Sequence, residues 1–163
     1  MHLTEKERML LEDQKKHEEL CVKKYKEASQ RAQDPELKQL FSAYAQKEQE
    51  HLDTVNQILN GQVPNMQQQQ GQQQQQNQQQ QNMQMKQDGQ QMQQGGQANQ
   101  QDEDLCNEML VIEKYVSGTY DTAVFEFRDT NIRQVLNHIQ KEEQQHGEAI
   151  FNYMQKKGMY NPS

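Results

Sequence analysis

Two short stretches of this chain repeat one small chemical pattern. Gln46-Lys47-Glu48-Gln49-Glu50-His51 and Gln140-Lys141-Glu142-Glu143-Gln144-Gln145-His146 each contain Glu-x-x-His, and a shift of 95 positions carries Glu48 to Glu143 and His51 to His146. Side chains at i and i+3 point the same way from a helix, so each stretch offers a carboxylate beside an imidazole. The same shift, with no gap, carries Glu18 to Glu113, Tyr25 to Tyr120, Ala28 to Ala123 and Asp34 to Asp129. A ligand set follows: Glu18, Glu48, His51, Glu113, Glu143 and His146. Four glutamates gathered in an apolar interior lose hydration and repel one another unless cations neutralise them. Two divalent ions would do so, and oxygen with imidazole ligation suits iron or manganese better than zinc, which more often takes fewer ligands or thiolate. The expected cofactor is therefore two Fe ions, or Mn in their place.

A single Glu-x-x-His is common on solvated helix faces. Two copies in register, each preceded 30 positions earlier by Glu18 or Glu113, argue for an inward-facing pair. Tyr25 and Tyr120 lie two turns beyond those glutamates on the same faces. They are placed either to hydrogen-bond ligand carboxylates across a bundle or to serve as core aromatics with satisfied hydroxyls. Glu12, Glu19, Glu50, Glu142 and Glu148 fall off the apolar stripes and read as surface charge, and His17 and His138 hold no seam position.

The elements that must carry these residues are four amphipathic helices. Thr4-Glu5-Lys6-Glu7 matches a capping box and starts the first, whose seam runs Leu11, Gln14, Glu18, Cys21, Tyr25, Ala28, Ala32 at steps of three and four. Asp34-Pro35 closes it and opens the second, with Asp34 as cap and Pro35 at the first helical position. Its inner face reads Leu37, Phe41, Tyr44, Glu48, His51, Val55, Ile58, and Asn60-Gly61 supplies the stop. The third is expected to begin near Asp102 or Asp104, with the seam Cys106, Met109, Glu113, Val116, Tyr120, Ala123, Phe127. After the Asp129-Thr130 cap, the fourth shows Ile132, Leu136, Ile139, Glu143, His146, Ile150, Tyr153 and ends at Lys156-Lys157-Gly158.

Between the pairs, residues from about 62 to 101 are nearly all Gln, Asn, Gly and Met. With no hydrophobic period they have nothing to bury, and they read as a disordered crossover. A flexible tract of that length reaches on the order of 35 Å, close to the length of a roughly 25-residue helix. Self-association through amide ladders is the functional alternative to a passive tether. The fold expected is all-α: a ferritin-like four-helix bundle of two duplicated antiparallel hairpins. Residues 1–61 form the first hairpin, 62–103 the Gln-rich linker and 104–163 the second.

Composition removes several function classes. The 163 residues carry a formal net charge of −7, which argues against nucleic acid or anionic membrane as partner. The apolar run Met109-Leu110-Val111-Ile112 is far too short to insert in a membrane, and the start Met1-His2-Leu3-Thr4-Glu5-Lys6 lacks a signal-peptide apolar region, so secretion by that route is not expected. Cys21 and Cys106 are isolated, excluding a four-thiolate iron or zinc site and pointing to two buried thiols.

With Glu-x6-Tyr and Glu-x-x-His each present twice, the chain resembles the ferritin-like superfamily and its rubrerythrin branch. Within it, the second half is similar to the spore coat protein F family at Glu113-Lys114-Tyr115, Thr119-Tyr120-Asp121-Thr122, Lys141-Glu142-Glu143 and Met154-Gln155-Lys156-Lys157-Gly158-Met159-Tyr160. That resemblance implies a place in the spore coat or in the cytoplasm of the sporulating cell, with other coat proteins or further copies of itself as partners. Three departures bear on function, the first being a further glutamate that rubrerythrins have near the site and that finds no match in this sequence. Rubrerythrins feed electrons through a four-cysteine iron domain, which the two lone cysteines here cannot replace, so peroxidase turnover would need an external electron donor. Ferritin cages rely on a fifth helix and specific packing surfaces, neither of which is read in this sequence, so iron storage is not expected. Three functions are compatible with these residues: a coat component with a structural or weakly redox-active di-metal site, a di-iron oxidoreductase reducing peroxide or oxidising Fe(II), and a metal-free assembly bundle.

Overall fold

A computed structural model describes residues 2–64 and 99–160. They form four α-helices: α1 (Glu5–Arg31), α2 (Pro35–Leu59), α3 (Gln100–Glu126) and α4 (Thr130–Lys156). The Gln-rich crossover and the tether or adhesive role considered for it lie outside the described residues, apart from its two ends.

Local chemistry sets the helix boundaries. The Thr4 hydroxyl accepts from Glu7 N at 3.2 Å while the Glu7 carboxylate accepts from Thr4 N at 2.7 Å, closing the capping box. Asp34 accepts from Glu36 N, and Asp129 accepts from Asn131 N and Ile132 N. Asn99 caps α3 through Gln101 N, so that helix starts at Gln100, ahead of the Asp102 or Asp104 expected from sequence. The tract's last Gln residues already belong to it. Gly61 and Gly158 adopt φ of 81° and 71°, the left-handed geometry that ends α2 and α4 without a Cβ clash.

The hairpins α1–α2 and α3–α4 pack together through α1 against α3 and α2 against α4. Every seam residue expected to be buried is buried except Tyr44, which is half-buried beside buried Ala45. Tyr25, Leu37, Phe41, Met109 and Ile150 fill the end near the α1–α2 turn. Leu11, Ile58, Ile132 and Leu136 are buried toward the other end. The polar centre is thus enclosed by apolar layers on both sides.

Two reciprocal latches tie the start of each hairpin, in α1 and α3, to the opposite hairpin's turn. Glu7 Oε1 accepts from Arg128 N at 3.0 Å. Asp102, which the 95-residue shift equates with Glu7, accepts from Gln33 N at 2.8 Å and Asp34 N at 2.9 Å. Both carboxylates are buried, and their hydrogen bonds to the turn amides are part-buried. Burial alone would raise the Glu7 pKa, but the Arg128 and Thr4 backbone donors, joined by their side chains, outweigh it and bring it down to about 2.

Candidate metal centre

Each helix delivers its ligands by the same device: a glutamate in mid-stripe, carried inward by apolar neighbours three and four positions away. α1 brings Glu18, α2 brings Glu48 and His51, α3 brings Glu113, and α4 brings Glu143 and His146. All six are at most 4 % exposed. They converge as two groups, Glu18-Glu48-His51-Glu143 and Glu48-Glu113-Glu143-His146, each with its potential ligand atoms within 4.8 Å of one another. Glu48 and Glu143 are common to both.

Both imidazoles face inward through Nδ1. His51 Nδ1 lies 3.1 Å from Glu143 Oε1, 3.3 Å from Glu48 Oε2 and 3.8 Å from Glu18 Oε2. His146 Nδ1 lies 2.9 Å from Glu48 Oε1, 3.4 Å from Glu113 Oε1 and 3.8 Å from Glu143 Oε2. The Tyr25 hydroxyl donates to Glu113 and the Tyr120 hydroxyl donates to Glu18, so each tyrosine reaches across to the other hairpin's terminal carboxylate.

Burial and mutual charge push these groups in opposite directions. Burial and then the nearby Glu48 charge push the Glu18 and Glu143 pKa values up. Burial also works to raise Glu48, but contacts with His146 and His51 outweigh it and hold Glu48 ionised. For His51 burial works downward, yet the carboxylates of Glu142, Glu143 and Glu48 carry its pKa above the ordinary value. Burial works downward on His146 as well, and Glu113 and Glu48 overcome it in the same way.

Even so, Glu18 Oε2, Glu113 Oε2 and Glu143 Oε2 are buried and receive no hydrogen bond as carboxylates, because Glu18 faces Glu48 and Glu143 faces Glu113, contacts that need a proton or a cation between the two groups. A buried polar atom left unsatisfied costs about 1–3 kcal/mol. Three such oxygens among four carboxylates, with both imidazole Nδ1 atoms aimed at the same space, fit a pair of divalent cations. Two such ions would cancel four carboxylate charges and satisfy the orphaned oxygens together.

Glu142 departs from its reading as surface charge. It is 6 % exposed, and His51 Nε2 lies 2.8 Å from its Oε2. Burial raises its pKa, but the His51 hydrogen bond and charge outweigh that and keep the carboxylate ionised. The sequence held a signal for this: Val135-Leu136, one heptad before Glu142-Glu143, are both buried, so the α4 stripe is two residues wide there. His138 Nε2 sits 3.6 Å from Glu142 and outside both ligand groups. His17 packs edge-on against Tyr115 with ring centroids 5.3 Å apart, also away from both groups. Cys21 and Cys106 are buried and free. Burial and the four ligand glutamates push the Cys21 thiol pKa up, leaving it a neutral filler one turn beyond Glu18.

Fold and site together define an all-α four-helix bundle with a buried centre of four glutamates and two histidines. Residues 101–163 match the family model of the Coat F domain. The match covers α3 and α4 and with them Glu113, Tyr120, Glu143 and His146, the half whose motifs resemble the spore coat protein F family. No curated protein matches the chain. No solved structure matches it either. Among the described residues, no helix is long and apolar enough to cross a membrane.

Proposed function

We propose that this chain is a spore-coat component of ferritin-like type whose bundle centre holds two divalent cations, iron or manganese. The observation that carries the metal reading is the pair of ligand groups sharing Glu48 and Glu143, with three buried carboxylate oxygens left without donors. Glu18 and His51 would complete one position and Glu113 and His146 the other. Tyr120 and Tyr25 would orient the terminal carboxylates. When bound, such a pair supplies Lewis-acid strength and, for iron or manganese, one-electron chemistry. The coat assignment is supported by the Coat F domain match over residues 101–163, and its partners would be other coat proteins or further copies of this chain.

Metal content after anaerobic purification from iron-replete cells tests the first half, with Glu48→Ala plus Glu143→Ala as the control. About two ions per chain in the wild type, lost in the double variant, is the expected result. No stoichiometric metal in the wild type would refute it. Fractionation tests the second half: a tagged chain produced in a sporulating bacterium should extract with the coat layer. Recovery only from the soluble fraction would count against it.

A further inference from the structure

The 95-residue shift that equates the two halves of the ligand set fails just outside it. Glu142 corresponds to Lys47, and Tyr44 corresponds to Ile139. The two histidines therefore have different supports. His51 meets the Glu142 carboxylate through Nε2 at 2.8 Å. A carboxylate on the far nitrogen fixes the tautomer, aims the Nδ1 lone pair inward and makes that nitrogen a stronger ligand. His146 meets its carboxylates through Nδ1. Its ring lies on Tyr44, with centroids 4.1 Å apart and planes 30° apart, and edge-on to Tyr25. Lys47, at the place where a second supporting carboxylate would stand, directs its ammonium to Glu50 at 2.5 Å and to Glu142 at 3.8 Å. Aromatic stacking orients a ring but adds nothing to its basicity.

We propose that the two cation positions are unequal: the His51 position, with Glu18 as its terminal carboxylate, fills first and tightly, and the His146 position, with Glu113, fills second and more weakly. Glu142 is the positioning residue that creates the difference. The inference rests on the di-metal reading above.

Anaerobic titration of the full chain with Co(II), followed by its visible absorption and by calorimetry, tests it. The wild type should take up one equivalent at least about 10-fold more tightly than the second, since loss of a supporting partner of a metal-bound histidine typically costs 10–100-fold in affinity. Glu142→Gln, close to isosteric, should weaken the first phase by about that factor and leave the second nearly unchanged. Glu18→Gln should remove the first phase, and Glu113→Gln the second. Proton NMR adds a signature that a packing role would not produce. The His51 ring N–H held by Glu142 should give a slowly exchanging, hyperfine-shifted resonance with the first equivalent, absent in Glu142→Gln. Equal affinities in the wild type, equal weakening of both phases by Glu142→Gln, or loss of the first phase in Glu113→Gln would each overturn the inequality while leaving the di-metal site standing. Failure of the wild type to bind Co(II) would overturn the di-metal reading itself.

Discussion

Replacing Glu7 by glutamine isolates one latch between the hairpins. The Glu7 side chain is 4 % exposed and accepts from Arg128 N, from Thr4 N and from the exposed Arg128 side chain. Burial works to raise its pKa, but these donors outweigh it and lower it from 4.5 to about 2. At 1.36 kcal/mol per pKa unit, and discounted for solvent screening around the exposed Arg128, the ionised form contributes on the order of 1–3 kcal/mol, mostly through the two backbone amides. The folded pKa lies below the unfolded one. The stability is therefore fully present above about pH 4.5 and is lost as pH falls toward about 2. The substituted side chain cannot ionise, and its amide nitrogen brings donors to a place where two backbone amides need acceptors. Urea unfolding of wild type and Glu7→Gln, followed by far-UV circular dichroism from pH 7 to pH 2.5, reads the difference directly. A gap of about 1–3 kcal/mol at pH 7 should narrow steadily below pH 4.5. A gap that stays constant across the acid range would refute the assignment, because only a titrating Glu7 makes it pH-dependent.

Asp102→Asn should cost about 1–3 kcal/mol at neutral pH, since both oxygens of Asp102 receive turn amides and asparagine offers one acceptor; equal stability in urea would show that the latch is not needed. Tyr120→Phe and Tyr25→Phe should each lower stability by about 1–3 kcal/mol and leave metal stoichiometry intact, with Glu18 or Glu113 losing its phenolic donor. Cys21→Val should cost less than about 1.5 kcal/mol and should not change Co(II) uptake, because Val116 already occupies the equivalent place in the other half. Added Mn(II) should raise the unfolding temperature as its concentration rises, by about 2.7 kcal/mol of stability for each position at 100 times that position's dissociation constant, and should have no effect on Glu48→Ala plus Glu143→Ala.

Glu142 and Asp102 show where reading along the chain falls short. Glu142 looks like solvated charge because a one-residue-wide stripe is the narrowest version of a buried helix face, and Asp102 looks like no more than a helix start. At a corner where two partner helices meet, the buried face widens, and α4 there buries Glu142 with Val135 as it buries Glu143 with Leu136. Asp102 is buried for another reason. The α1–α2 turn leaves the Gln33 and Asp34 amides facing inward, and a carboxylate from a remote helix start is their acceptor. Separations of 68 and 69 positions leave no periodic trace.

The duplicated hairpin, its caps and its seams are legible along the chain because each depends on interactions within a few positions: Thr4 with Glu7, Asp34 with Glu36, and stripes at steps of three and four. The same periodicity puts Glu18, Glu48, His51, Glu113, Glu143 and His146 on those seams. Which atoms face one another is a property of the assembled bundle. Packing paired Tyr25 with Glu113 and Tyr120 with Glu18, made Glu48 and Glu143 common to both ligand groups, and set Glu142 behind His51 but Tyr44 beside His146. A helical repeat specifies direction around one axis. The relative rotation and approach of four axes come from packing the whole core, and those alone give six inward residues their two different surroundings.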